Sequence, residues 1–279
     1  MTEMPPRQWL RRPLWITGLL VVTLVFATVA TFNARTARPN LNFKVPDSLL
    51  LQIRADDKSG WLTFVIANQG RTWFVVPREA VLSNGVTVQT IETTARSLNL
   101  DQTAAALESL LNVEFDEVWQ VDRLGLSAFV EAAGGVIVTP KVDGVISPAT
   151  AEPLAIGGGS AINLSGMYAS TYAVDPSIAT NRDRYRRFDQ VFSSLMARLD
   201  AGTLTTALPA IGSASRSSMD QAELISFIEK LQQLRAVRKP RVIMLPTITA
   251  TYNGEEYLYL LTAARTALIK AGVHERITP

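Results

Sequence analysis

Twenty consecutive uncharged residues, Pro13 to Phe32 (PLWITGLLVVTLVFATVATF), constrain this chain more than any other feature. At about 1.5 Å of rise per residue, a helix of that length spans roughly the 30 Å hydrocarbon core of a bilayer. Arg7, Arg11 and Arg12 precede the run, and no acid lies nearer on that side than Glu3. Basic residues held in the cytoplasm would send everything after Phe32 outward, although Arg35 and Arg38 weaken the asymmetry. The rival reading is a cleaved signal peptide, with small residues at Ala27–Ala30; its apolar region would be about 7–15 residues, shorter than this one. The expectation is a signal anchor: a cytoplasmic tail at 1–12, a transmembrane helix at 13–32, a linker at 33–46 and an extracytoplasmic domain at 47–279.

The remainder reads as globular, with 47% hydrophobic and 19% charged residues. A formal charge of +2 without a clustered basic face argues against nucleic acid as a partner. With no cysteine, disulfides, a thiol nucleophile and Cys-based metal sites are excluded. The single histidine, His274, follows a helical stretch and Gly272, where a basic group near a helix C-terminus is the plain reading. No G-x-S-x-G elbow accompanies it, which argues against a Ser-His-Asp hydrolase.

Strand-like runs occur at Ser48–Arg54, Trp61–Ala67, Thr72–Val76, Glu117–Val121, Val136–Val138 and Arg241–Leu245, the first three joined by turn-rich segments. Helical patterns occupy Asp101–Leu111, Leu124–Ala133, Leu164–Tyr172, Arg184–Leu199, Asp220–Leu234 and Leu260–Ala271. Asp220 and Glu223 have capping-box spacing. Gly157-Gly158-Gly159-Ser160 lacks the Gly-Lys-Ser/Thr of a phosphate loop and reads as a flexible connection. Alternating strands and helices predict an α/β domain in which all six strands share one central sheet, with helices on both faces.

Several stretches, in order, resemble the LytR-CpsA-Psr family. They are Asp47-Ser48-Leu49-Leu50, Val76-Pro77-Arg78-Glu79, Ala106–Asn112 with Phe115–Trp119, Leu126–Val136 (LSAFVEAAGGV), Leu164-Ser165-Gly166 with Ala169, Tyr172 and Ala173, and Arg184 with Arg187. The resemblance covers roughly residues 47–246. It implies a three-layer α/β/α domain around a central mixed sheet. It also implies binding of polyprenyl pyrophosphate-linked glycan, the lipid tail lying between sheet and helices, and transfer of a phosphoglycan to a cell-wall polymer acceptor. Arginine forks match pyrophosphate oxygens bidentately, and carboxylates hold a magnesium ion. Carried over by position, Arg78, Arg184 and Asp47 are the candidate catalytic residues. Arg78, Arg184, Arg187 and Glu79 are the candidate substrate contacts, and Asp47 is the candidate ligand of Mg2+.

The chain departs from the family pattern beside those residues. Val174-Asp175-Pro176 stands where the family has Arg-x-Arg, Asn181 where it has an acid, and Phe188 where it has glutamine. Two readings therefore stay open: a weak phosphotransferase, or a membrane-tethered, non-enzymatic module for lipid-linked precursor or envelope-protein partners. Arg182–Arg187 equally fits a solvated helix face with i,i+3 and i,i+4 pairs. The helix apolar residues could fill a core or wall a lipid tunnel.

Overall fold

A computed structural model describes residues 44–56, 60–83, 88–97, 99–175, 180–252 and 254–276. The apolar run at 13–32 lies outside them; among the described residues no helix is long and apolar enough to cross a membrane. The central sheet has six strands: β1 (Ser48–Arg54), β2 (Gly60–Ala67), β3 (Thr72–Val76), β4 (Glu117–Asp122), β5 (Ser215–Ser217) and β6 (Arg241–Met244). Their spatial order is β5-β4-β1-β2-β3-β6. β1 is buried along its whole length, as a central strand covered on both faces must be. β1, β2 and β3 form an antiparallel meander, while β4 and β6 run parallel to β1 and β3, so β1, β3, β4 and β6 all point the same way.

The β2–β3 hairpin turns through Asn68, Gln69 and Gly70, all at positive φ (53°, 54° and 92°). Gly70 is also closely approached: a Cβ there would lie 2.6 Å from Leu231 Cδ2, which would have to shift.

The described helices are α1 (Ile91–Ser97), α2 (Leu100–Leu111), α3 (Arg123–Ala132), α4 (Gly166–Ala173), α5 (Asn181–Met196), α6 (Ala201–Ile211), α7 (Gln221–Val237) and α8 (Thr262–Lys270). Ile91, Leu107, Leu111 and Leu268 of α1, α2 and α8 pack on the face carrying Leu50, Val65, Phe74 and Val76. Alternation along the strands puts Leu51, Ile53, Phe64 and Trp73 on the opposite face. There Phe188 of α5 stacks on Phe64 at 5.2 Å and Phe192 meets Trp73 at 5.4 Å, with α3 and α7 alongside. The cap signals act as the sequence suggests. Asp220 Oδ1 accepts from Glu223 N (2.8 Å) and Glu223 Oε2 accepts from Asp220 N (3.0 Å). A second capping box, Asn99 with Gln102, starts α2.

One expectation is corrected. Val136–Val138 is a strand, but it pairs antiparallel with Ile162–Leu164 outside the central sheet. Gly134 and Gly135, at φ 72° and 93°, turn the chain away at the end of α3, and Ile137 N then donates to Ser194 Oγ on α5 (2.8 Å). The sixth sheet position is instead taken by β5, a three-residue edge strand with little apolar patterning. Sequence periodicity also omits α6, whose interior contains Pro209, although its N-cap Asp200 accepts from Thr203 N at 2.7 Å.

The glycine of Leu164-Ser165-Gly166 has a packing cause. A Cβ on Gly166 would sit 2.1 Å from the Ser127 carbonyl oxygen, so α4 crosses α3 with backbone in contact. Ala169 behind it is fully buried. Gly166→Ala is expected to destabilise the domain by about 1–3 kcal/mol, the usual cost of overpacking. Urea unfolding measures this, and an unchanged midpoint would contradict the close crossing.

Candidate functional site

Because β1, β3, β4 and β6 point one way, their carboxyl ends share one edge of the sheet, the edge along which ligand crevices of α/β folds open. β3 ends in Val76, and the turn Pro77–Ala80 follows, closed by Ala80 N donating to the Pro77 carbonyl. Arg78 and Glu79 project from this turn, and Glu92 N of α1 donates to the Arg78 carbonyl at 3.0 Å. Trp61 lies at the start of β2. That strand runs antiparallel to β3, so its first residues sit at the same edge. α5 begins nearby with Asn181 and Arg184.

These residues form one cluster. The Arg78 and Arg184 guanidinium carbons lie 4.4 and 5.0 Å from the Trp61 ring centroid. Glu79 Oε1 accepts from Arg78 Nε (3.0 Å) and Arg184 Nη1 (2.8 Å), and Glu79 Oε2 accepts from Asn181 Nδ2 (2.8 Å). Arg184 Nη1 also donates to Asn181 Oδ1 at 3.1 Å, and Glu92 Oε2 stands 3.4 Å from Arg78 Nε. The Arg184 side chain is 3% exposed and that of Arg78 16%. A solvated helix face therefore does not describe Arg184. Burial alone would raise the Glu79 carboxyl. Hydrogen bonds from Asn181 and Arg184, from its own backbone and from Arg78 outweigh burial and hold it below the usual 4.5.

Arg187 lies one turn further along α5, in a neighbouring cluster. Its guanidinium is 4.7 Å above the Tyr172 ring, and Nη1 donates to Asp175 Oδ2 at 2.8 Å. Asp175 lies just beyond the end of α4, so an acid here meets Arg187 of α5. Two further pairs at the same strand ends were missed by sequence reading. Arg54, ending β1, forks onto Asp122 of β4 (2.6 and 3.0 Å), and Arg123 pairs with Asp56. Arginines directly after strand ends were the available signal.

Asp47 is placed elsewhere. Val76 pairs through Thr63 with Gln52, so Asp47 stands five residues back along β1, roughly 17 Å away, at the opposite edge. The cause is chain direction: Asp47 precedes a strand that runs parallel to the one Arg78 follows. At its own edge Asp47 joins Asp116 and His274, with ligand atoms within 4.8 Å of one another. His274 is held there by a short strand pairing with residues 113–114, 3.5 Å from Asp116, and not by a helix end. The carboxylates near Arg78 do not fit Mg2+, which needs oxygens not already committed. Glu79 is engaged by two arginines and Asn181, and Glu92 lies against Arg78. An imidazole-containing set such as Asp47, Asp116 and His274 suits transition metals better than magnesium.

Between the sheet and α3, α5 and α7, Leu51, Ile53, Phe129, Phe188, Phe192 and Ile228 help line an apolar cavity of about 20 Å3. That volume is near the size of a single water, not of an isoprenoid chain.

Solved structures share this architecture. TagV of B. subtilis superposes with a TM-score of 0.65 at 17% identity, covering 85% of this chain and 99% of that one. TagT bound to LIIa-WTA gives 0.63 at 18%, covering 81% and 89%. A LytR-Csp2A-Psr enzyme from Actinomyces oris gives 0.62 at 14%, covering 86% and 98%. The chain has the LytR-CpsA-Psr fold. No protein-family model and no curated protein matches it by sequence. Within this LytR-CpsA-Psr fold, Arg78, Glu79 and Arg184 come together, Arg187 lies beside them, and Asp47 is apart.

Because its folded pKa is depressed, Glu79 contributes stability above about pH 4.5 that is lost as pH falls through the folded value. The stability gap between the parent and Glu79→Gln should be widest near neutral pH and shrink in acid. A gap independent of pH, measured by denaturant unfolding across that range, would mean that Glu79 is not the bridging carboxylate.

Proposed function

We propose that the chain is an envelope protein that binds the phosphate-bearing head of a polyprenyl-linked glycan at Arg78 and Arg184. The run at 13–32 anchors it, with the domain outside the cytoplasm. The observation carrying this reading is the convergence of two guanidinium groups on the Trp61 ring at the carboxyl edge of the parallel strands. The fold shared with TagT bound to LIIa-WTA supports the ligand class. A polyprenyl tail would enter between the sheet and α3, α5 and α7, which requires those helices to move apart from their close packing.

Transfer of the phosphoglycan to a cell-wall acceptor is slow or absent in this reading. Two arginines of the family pattern are replaced by Val174 and Pro176, and each charge-assisted contact contributes about 1.5–3 kcal/mol. The nearly filled apolar layer favours a second reading, a tethered interaction module for envelope-assembly proteins.

Binding of polyprenyl-linked glycan phosphates to the full-length chain in detergent separates the two. Arg78→Ala and Arg184→Gln should each weaken binding about tenfold or more. Absent binding, or affinities untouched by both substitutions, would leave the interaction module. The anchor is tested independently: the protein should stay with membranes after alkaline washing, and a reporter fused after Pro279 should be active only outside the cytoplasm. A mature chain beginning near residue 31 would contradict the anchor.

A further inference from the structure

We infer that the phosphate site takes a glycolipid joined by a single phosphodiester in preference to one joined by a pyrophosphate, and that Asp175 sets this choice. The inference rests on the phosphate-site reading above and adds the ligand's charge and size.

The first argument is charge. At the carboxyl edge of the parallel strands, Arg78 and Arg184 face Glu79 and Glu92, Arg187 faces Asp175, Arg54 faces Asp122, and Arg123 faces Asp56. Five guanidinium groups meet five carboxylates, so these arginines are already paired before any ligand arrives. A phosphodiester brings one negative charge, whereas a pyrophosphodiester brings two. Each added negative charge next to fixed carboxylates in a partly desolvated setting is repelled.

The second argument is donor geometry. The hydrogen bond from Arg78 to Glu79 runs from Nε, and its two terminal nitrogens make no hydrogen bond among the described residues. With the side chain 16% exposed, that fork can present two parallel N–H groups to the two non-bridging oxygens of one phosphate. A second phosphate would need a further guanidinium on α5. Arg186 is committed to Asp183, and Arg187, one turn beyond Arg184, is held on the Tyr172 ring by the Asp175 carboxylate. Asp175 thus stands in for the oxygens of the second phosphate and competes with them.

The test compares two glycolipids of identical sugar and polyprenyl chain, one linked by phosphodiester and one by pyrophosphate. Each is titrated into the full-length chain in detergent without divalent cations. The phosphodiester should bind the parent about tenfold more tightly or better. Asp175→Asn, with Asp175→Ser as the alternative if the first misfolds, should move the ratio about tenfold toward pyrophosphate. Adding Arg187→Ala to either variant should cancel that gain. Equal or tighter pyrophosphate binding by the parent, or a ratio unmoved by both Asp175 variants, would overturn the selectivity while leaving the phosphate site standing. Failure of both glycolipids to bind the parent would remove the phosphate site, and its selectivity with it.

Discussion

Two guanidinium groups cannot lie against one indole ring without a counter-charge beside them. At a separation of several ångströms and an effective dielectric near 20, like charges repel by about 2–4 kcal/mol. Glu79 supplies the counter-charge: a single oxygen accepts from both Arg78 and Arg184, and the other accepts from Asn181. The side chain is one methylene longer than aspartate and crosses from the turn after β3 to the start of α5. This bridge couples the sheet edge to the helix that covers it.

The apolar layers make the bridge rigid. α5 is fixed along its length by Phe188 against Phe64 and Phe192 against Trp73, so Arg184 at its first turn has little freedom. Burial at 3% exposure leaves its charge dependent on hydrogen-bonded partners. Trp61 carries a cost here: its Nε1 is buried and has no hydrogen-bond partner among the described residues, which typically disfavours the folded state by about 1–3 kcal/mol. The ring offers a face to two cations in return, each contact contributing about 0.5–2 kcal/mol according to its desolvation.

Much of this was legible in sequence, and the omissions have physical reasons. β1 and β3 follow from short β-rich runs between turn residues, and the α7 capping box from Asp220 and Glu223. The family resemblance groups Asp47 with Arg78, but the order of motifs along a chain does not fix an edge; strand direction does. A meander of two hairpins makes β1 and β3 parallel, so a residue before one and a residue after the other must lie apart. The same rule would have brought Trp61 to Arg78. β5 was invisible because a three-residue edge strand of Ser-Arg-Ser carries no apolar alternation. Val136–Val138 was read as a sheet strand because a short apolar run does not say which ladder will pair it. The opposition of Asp175 to Arg187 emerges only when α4 and α5 are brought side by side.

A crystal structure of the full-length protein with a bound polyprenyl-phosphoryl sugar tests the central claim most directly. The phosphate oxygens should lie at about 2.7–2.9 Å from the terminal nitrogens of Arg78. Glu79 should still bridge to Arg184, and the isoprenoid chain should enter between the sheet and α5. A phosphate bound instead at the Asp47, Asp116 and His274 edge, or a ligand that leaves the Trp61 cluster unvisited, would contradict the account.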